Sequence, residues 1–181
     1  QAIPPDVPRD EWVRVLMAGQ AAGLDADELR AWSEQGNTYE ARAFGVTSAM
    51  PMTRARRLCP QATVIAPNHD RYAAISDAVM ATFASVTDRY EPLSLDEAFL
   101  DIAGAVRRLG PPTSIAQWLR DTIADEQSIT CSVGVASTKF VAKLASGLAK
   151  PDGLLVVPQD EVLAFLHQLP VGALWGVGDR T

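Results

Sequence analysis

The nine residues Leu93 to Asp101 read Leu-Ser-Leu-Asp-Glu-Ala-Phe-Leu-Asp and set two adjacent carboxylates, Asp96 and Glu97, inside an apolar run. An ionised carboxylate taken out of water without a partner costs on the order of several kcal/mol, so such a pair is solvated at a turn, matched by a cation or bound to a metal. Successive side chains of a strand point to opposite faces, so Asp96 and Glu97 can serve one metal only at a hairpin tip or a strand end. Leu93 and Leu95 alternate before the pair, and Phe99 and Asp101 alternate after it. The pattern predicts two short strands that meet at the carboxylates. Taken alone, it suits a solvated turn as well as a metal site.

A chain of 181 residues can bury one good-sized core, or a core with a small appended module. Its 48% hydrophobic and 21% charged content is that of a folded protein. No apolar run reaches the length of a membrane span and no signal peptide opens the chain, so a cytoplasmic location is expected, with no membrane partner. Cys59 and Cys131 lie far apart without metal-ligand spacing and are expected as reduced thiols. Sixteen basic against twenty-two acidic residues give a net charge of −6, which argues against indiscriminate polyanion binding by the whole surface. A nucleic acid would need a local patch, and the candidates are Arg54, Arg56 and Arg57, then Lys139, Lys143 and Lys150.

Residues 1–38 read as a helical hairpin. Prolines 4, 5 and 8 give a stiff entry, Asp10 caps a helix carrying Trp12, Val15 and Leu16, and Asp25 with Glu28 resembles a capping box for a second helix with Leu29 and Trp32. No strand is expected there. From Tyr39 the texture changes: Pro51 suits a first helical position, a short basic helix runs from Arg54 to Leu58, and Val64 to Ala66 suggests a brief strand. Tyr72, Ile75, Val79, Phe83 and Val86 make one helical stripe. After the hairpin, Ile115, Trp118, Leu119, Thr122 and Ile123 mark the buried face of a helix capped by Thr113 or Ser114. Ile129, Cys131, Val133 and Val135 alternate as a strand that feeds a helix starting near Ser137 or Thr138. On that helix Phe140, Val141, Leu144, Ala145 and Leu148 form an apolar stripe, and Lys139, Lys143, Ser146 and Lys150 form a second. A strand at Leu154 to Val157, a helix at Glu161 to Gln168 and a Gly-rich turn at Leu174 to Gly178 follow. From residue 69 the order is that of a ferredoxin-like βαββαβ unit without its first strand, an α+β sheet with helices on one face.

A helix entered directly from a strand offers backbone N–H groups and the positive end of its dipole to an anion, and Lys139 adds a full charge there. Tyr39 and Arg42 are one helical turn apart, Arg can fork onto phosphate and Tyr can donate a hydrogen bond. Singly, each of these residues is as well explained by surface or packing. Together, carboxylates for a divalent metal with separate cations for phosphates are the parts needed for phosphoryl or nucleotidyl transfer. Mg²⁺, with its preference for oxygen ligands, suits Asp96 and Glu97 better than a transition metal does. His69 and His167 receive no role.

These residues resemble a known family. Leu95 to Asp101, Tyr39 to Val46 with Ser48, Met50 and Pro51, Ser132 to Ala136 running through Lys139, Ala142, Lys143 and Lys150 to Gly153, and Leu174 to Gly178 are similar, in order, to motifs of Y-family translesion DNA polymerases of the DinB, DNA polymerase IV and UmuC-like type. The resemblance implies a polymerase palm at residues 69–165, partial fingers at 39–68 and the start of a helix-hairpin-helix thumb at 166–181. It implies Asp96 and Glu97 as the catalytic, metal-binding carboxylates for two Mg²⁺ ions. Tyr39, Arg42 and Lys139 would hold the triphosphate, and Gly176 and Gly178 would meet DNA. The implied partners are primer–template DNA and deoxynucleoside triphosphates, with any sliding-clamp contact in regions C-terminal to this chain.

In this family the first strand bears another metal-binding Asp, followed by an aromatic steric gate, and residues 1–38 carry neither motif. They more weakly resemble a helical domain at the C-terminal side of certain primases. The expectation is therefore translesion synthesis by family, with the chain alone extending primers very poorly or not at all. Two alternatives remain: a non-catalytic DNA-binding or accessory homologue, and a primase-linked module with a decayed polymerase remnant.

Overall fold

The computed structural model describes residues 12–18, 38–47, 50–62, 64 and 68–177, with 12–18 and 38–40 described by their backbone. The chain divides into two compact units, residues 20–72 and residues 1–19 with 73–181.

In the smaller unit α1 (Thr38–Ala43) ends at Gly45, whose φ of +81° closes the turn with its N–H on the Arg42 carbonyl. The basic helix α2 (Met52–Leu58) follows directly on Pro51 and stops before Pro60, with Arg54, Arg56 and Arg57 exposed. Asn68 accepts a hydrogen bond from the Arg71 N–H at 3.0 Å and so starts α3 (His69–Val86). Val64 belongs to no strand, and 65–66 lie outside the described residues.

The larger unit is built on a five-stranded sheet. β1 (Trp12–Ala18), β2 (Tyr90–Ser94), β3 (Glu97–Asp101), β4 (Thr130–Ala136) and β5 (Leu154–Val157) lie in the order β2-β3-β1-β4-β5, antiparallel except for the parallel pair β4 and β5. Two expectations are thereby corrected. The first strand is present, and residues 12–18 are not helical. Trp12-Val13-Arg14-Val15-Leu16-Met17-Ala18 is paired with a strand on each side and reads in sequence as a nearly continuous apolar run. Such a run fits a helical stripe equally well by periodicity, while its β-branched Val13 and Val15 favour a strand. The second helix expected near residue 25 falls outside the described residues, and of the stretches behind the primase likeness Trp12–Ala18 is a strand while Trp32 and Ser33 also lie outside.

The hairpin forms as expected. β2 is an edge strand, which tolerates Pro92, and its register with β3 shifts between Pro92 and Ser94. Asp101 closes the far end: its carboxylate, 8% exposed, takes Arg89 at 2.8 Å and the Ala103 N–H at 3.1 Å, while Thr87 donates to its carbonyl.

Helix α4 (Val106–Leu109) is a single turn after β3, and α5 (Pro112–Gln127) then starts at Pro112 without a side-chain cap, so neither Thr113 nor Ser114 caps it. Phe83 and Val79 of α3, Leu119 and Ile123 of α5, Leu100 of β3 and Val133 of β4 meet in the main core. Trp118, expected on the buried face of α5, is 46% exposed. Its offset from the Ile115–Leu119–Ile123 row turns it out of that core.

Helix α6 (Lys139–Leu148) follows β4, capped by Thr138, whose hydroxyl accepts the Val141 N–H. It packs on the opposite face: Val141, Ala142 and Ala145 gather with Ala136 and Val157, while Cys131, Val133 and Val135 face the main core. Helices on one face therefore describes α3 and α5, and α6 departs from it. Gly134 is the reason α6 can lie so close. A Cβ there would stand 2.1 Å from the Ala142 carbonyl oxygen and 2.4 Å from the Ser146 nitrogen. Ser146, expected on the lysine stripe, is fully buried in this contact. Arg120 of α5 ties the sheet from the other side, donating to the Cys131 carbonyl and to Asp152. A short α7 (Val162–His167) and a 3-10 turn at Val171–Ala173 follow.

Two measurements check this packing. Gly134→Ala should lower stability by about 3 kcal/mol or more, and the melting point by ~6–12 °C, because the opposing atoms are backbone. Cys59 and Cys131 are both free and buried, and burial, only partly offset by Arg120, pushes the Cys131 thiol up from 9.0 to about 12. Between those values the folded chain keeps a proton that the unfolded chain releases, so stability falls as pH rises from 9 toward 12. Urea titrations of wild type and Cys131→Val across that range should converge as pH rises, and parallel curves would contradict it.

Candidate active site

The two-residue turn between β2 and β3 is Leu95-Asp96, so Asp96 stands at the hairpin tip and Glu97 opens the return strand. Asp96 is exposed, and the Ser94 hydroxyl donates to its Oδ1 at 2.7 Å. Glu97, at 25% side-chain exposure, turns toward α6 and meets Lys143 Nζ at 3.5 Å from its Oε2. Alternation along β3 then sends Ala98 and Leu100 into the main core and leaves Glu97 and Phe99 on the face that α6 covers.

Lys139, in the first turn of α6, is ion-paired with Glu91 of β2 and lies 5.6 Å from the Phe99 ring centre. A cation is disfavoured at that end of a helix, so the carboxylate offsets the dipole. Lys143, one turn on, lies 4.5 Å from the ring centre of Trp175, and the Trp175 and Phe99 rings are 6.4 Å apart at 51°. Glu97, Lys143, Lys150, Leu169, Ala173 and Trp175 line a cavity of about 320 Å³. The site thus alternates acid, base and aromatic groups at the open end of the hairpin. Its chemistry suits an anionic ligand accompanied by a cation.

Of the expected residues, the structure brings Asp96 and Glu97 together and puts Lys139 on the adjoining helix. Tyr39 and Arg42 belong to the other unit, one turn apart on α1 as expected; Arg42 is exposed, and the Tyr39 side chain lies outside what is described. Gly176 has φ of +87° in an exposed turn, and Gly178 lies outside the described residues. Phe99, Lys143 and Trp175 are the additions. Lys143 was legible as the i+4 neighbour of Lys139. Trp175 was not, since its approach to Lys143 spans 32 residues of chain and depends on the path after β5.

The sequence matches the IMS family, described as impB/mucB/samB, over residues 36–147, more than half of the chain. It is 49% identical over 144 residues to DNA polymerase IV of Alkalilimnicola ehrlichii and to that of Pseudomonas aeruginosa, in each case covering 80% of this chain and 41% of the relative. The chain thus spans about two fifths of the length of these relatives. Among solved structures it is similar to DinB from Sulfolobus solfataricus, with a TM-score of 0.84 and 27% identity over 94% of this chain and 55% of that one. It is also similar to an insertion ternary complex of Dbh DNA polymerase, with a TM-score of 0.82, 27% identity and the same coverage.

Phe99 is 1% exposed and touches both Lys139 and Trp175. Phe99→Ala should therefore cost about 3–5 kcal/mol in a urea titration, the range for an excavated core aromatic. A loss below about 1 kcal/mol would contradict this placement.

Proposed function

Because the chain belongs to the impB/mucB/samB family, the Y-family DNA polymerases of the DNA polymerase IV type, we propose that it forms the palm and partial fingers of a translesion enzyme. The reaction is template-directed addition of deoxynucleotides to a primer end, past damaged template bases. What carries the reading is the Asp96-Glu97 tip, with Glu97 in the wall of a cavity that Lys143 and Lys150 also line. Carboxylates beside lysines are what a nucleoside triphosphate and its cation require.

In this reading residues 69–165 and the added strand β1 form the palm, 39–68 the partial fingers and 166–181 the start of the thumb. Tyr39, Arg42 and Lys139 bind the triphosphate. Lys139 does so by exchanging Glu91 for a phosphate, the more highly charged partner. Gly176 and Gly178 approach the DNA backbone, where a missing side chain allows close contact. Primer–template DNA and deoxynucleoside triphosphates are the partners, in keeping with a solved relative described as a ternary complex. A cytoplasmic location and a sliding-clamp partner belong to the same reading. Among the described residues no helix is long and apolar enough to cross a membrane.

The donor set fits one hard divalent cation, Mg²⁺ by its oxygen ligands, held by Asp96 and Glu97. It does not extend to a pair. Strand β1 carries no carboxylate, Leu16 is the register partner of Glu97, and among the described residues no three His, Cys, Asp or Glu side chains converge on a metal-sized site. Among the described residues a second ion of the expected pair finds no third carboxylate, and the proposal for these residues is one ion. Such an ion, when bound, neutralises phosphate charge and polarises phosphoryl oxygens. Leu16 opposite Glu97 also favours a second reading, an accessory homologue that binds DNA without synthesis.

Single-nucleotide insertion on a primer–template separates the two. The unaltered chain should insert at least about a hundredfold more slowly than Leu16→Asp, which offers a third carboxylate at the register position facing Glu97. Asp96→Ala should abolish insertion in both backgrounds. If folded Leu16→Asp binds DNA and nucleotide yet gains no insertion, the accessory reading holds. Robust insertion by the unaltered chain that Asp96→Ala abolishes would show that two carboxylates suffice.

A further inference from the structure

We propose that Lys143 is the site's own cation: its ammonium neutralises Glu97 until a divalent ion arrives, and the face of Trp175, which it already overlies, retains it when it gives Glu97 up. The proposal rests on Asp96 and Glu97 as the metal carboxylates and adds a positioning residue that sets their affinity.

The geometry gives Lys143 two partners at once. Its Nζ lies 3.5 Å from Glu97 Oε2 and 4.5 Å from the centre of the Trp175 ring. The two charged side chains are 20% and 25% exposed, so each has surrendered much of its hydration. A divalent ion on Glu97 would meet the Lys143 ammonium at short range with little water between, and like charges repel most strongly there. Metal and lysine therefore compete for one carboxylate. Simple expulsion of Lys143 into water is not required, because the indole face accepts a cation without offering a carboxylate. Trp175 is 49% exposed, so one edge of this seat is open and the ammonium can rehydrate as it shifts.

Lys139, one turn away on the same helix face, pairs with Glu91 and lies beside Phe99, while Lys143 pairs with Glu97. Phe99, buried beneath, contacts both Lys139 and Trp175 and holds the indole against the sheet.

Mn²⁺ binding followed by the loss of the free-ion electron paramagnetic resonance signal tests this without DNA or nucleotide. Lys143→Met should bind Mn²⁺ about tenfold more tightly than the unaltered chain, Lys143→Arg should match it, and Glu97→Gln should bind about tenfold or more weakly. If Glu97→Gln weakens binding but Lys143→Met leaves it unchanged or weaker, the role of Lys143 is wrong and the metal reading stands. If Glu97→Gln changes nothing, the metal reading fails and this proposal with it. Should Lys143→Met fail to fold, Lys143→Gln replaces it. The indole fluorescence of the unaltered chain, taken as the difference from Trp175→Phe, decides independently. Its emission should change on adding Mg²⁺ as the ammonium gives Glu97 up and stays on the ring, and no change would overturn that release.

Discussion

The placement of every group at the site follows from one ladder, the pairing of β1 with β3 on one side and β4 on the other. Leu16 pairs with Glu97 and with Ser132, and Arg14 pairs with Phe99 and with Gly134. Each row puts one residue of the hairpin and one of β4 on the same face. The rows that carry Glu97 and Phe99 are therefore the rows on which α6 lies, with Gly134 open beneath it and Ser132 reaching the Ala149 carbonyl at its end. A slip of one residue would turn Glu97 toward the main core and Ala98 toward the lysines. Register delivers the acid to the base.

The hairpin uses its carboxylates in two different ways. Asp101 is consumed by structure, held by Arg89 and the Ala103 N–H where β3 leaves the sheet. Asp96 and Glu97 stand at the other end, one in solvent and one against a lysine. An ion pair of this kind adds little to net stability, since the charges give up hydration to form it. Its use is to aim a half-buried carboxylate along the face that α6 covers.

Much of this was legible beforehand. Alternation at Ile129, Cys131, Val133 and Val135, the spacing of Val79, Phe83 and Val86, and the two strands meeting at Asp96-Glu97 correspond to local periodicities that burial on one face imposes. What was hidden had no such periodicity. Trp12–Ala18 is a nearly continuous apolar run, and such a run resembles a helical stripe. The side of the sheet that α6 takes depends on a single small residue, Gly134, whose meaning appears only when the helix is on top of it. Trp175 reaches the site through tertiary approach alone, and Trp118 faces outward because it lies off the Ile115–Leu119–Ile123 row that α5 buries.

In the proposed reading this chain forms the palm that holds metal and triphosphate beside a primer end, and its strand β1 carries no carboxylate. Its site is accordingly expected to hold a single divalent ion at the Asp96-Glu97 tip. Anomalous diffraction at the manganese edge, from crystals soaked in millimolar Mn²⁺, measures this most directly. One peak beside Asp96 and Glu97, with no second beside it, is the expected result. Two peaks at the tip, or a peak only elsewhere on the chain, would contradict it.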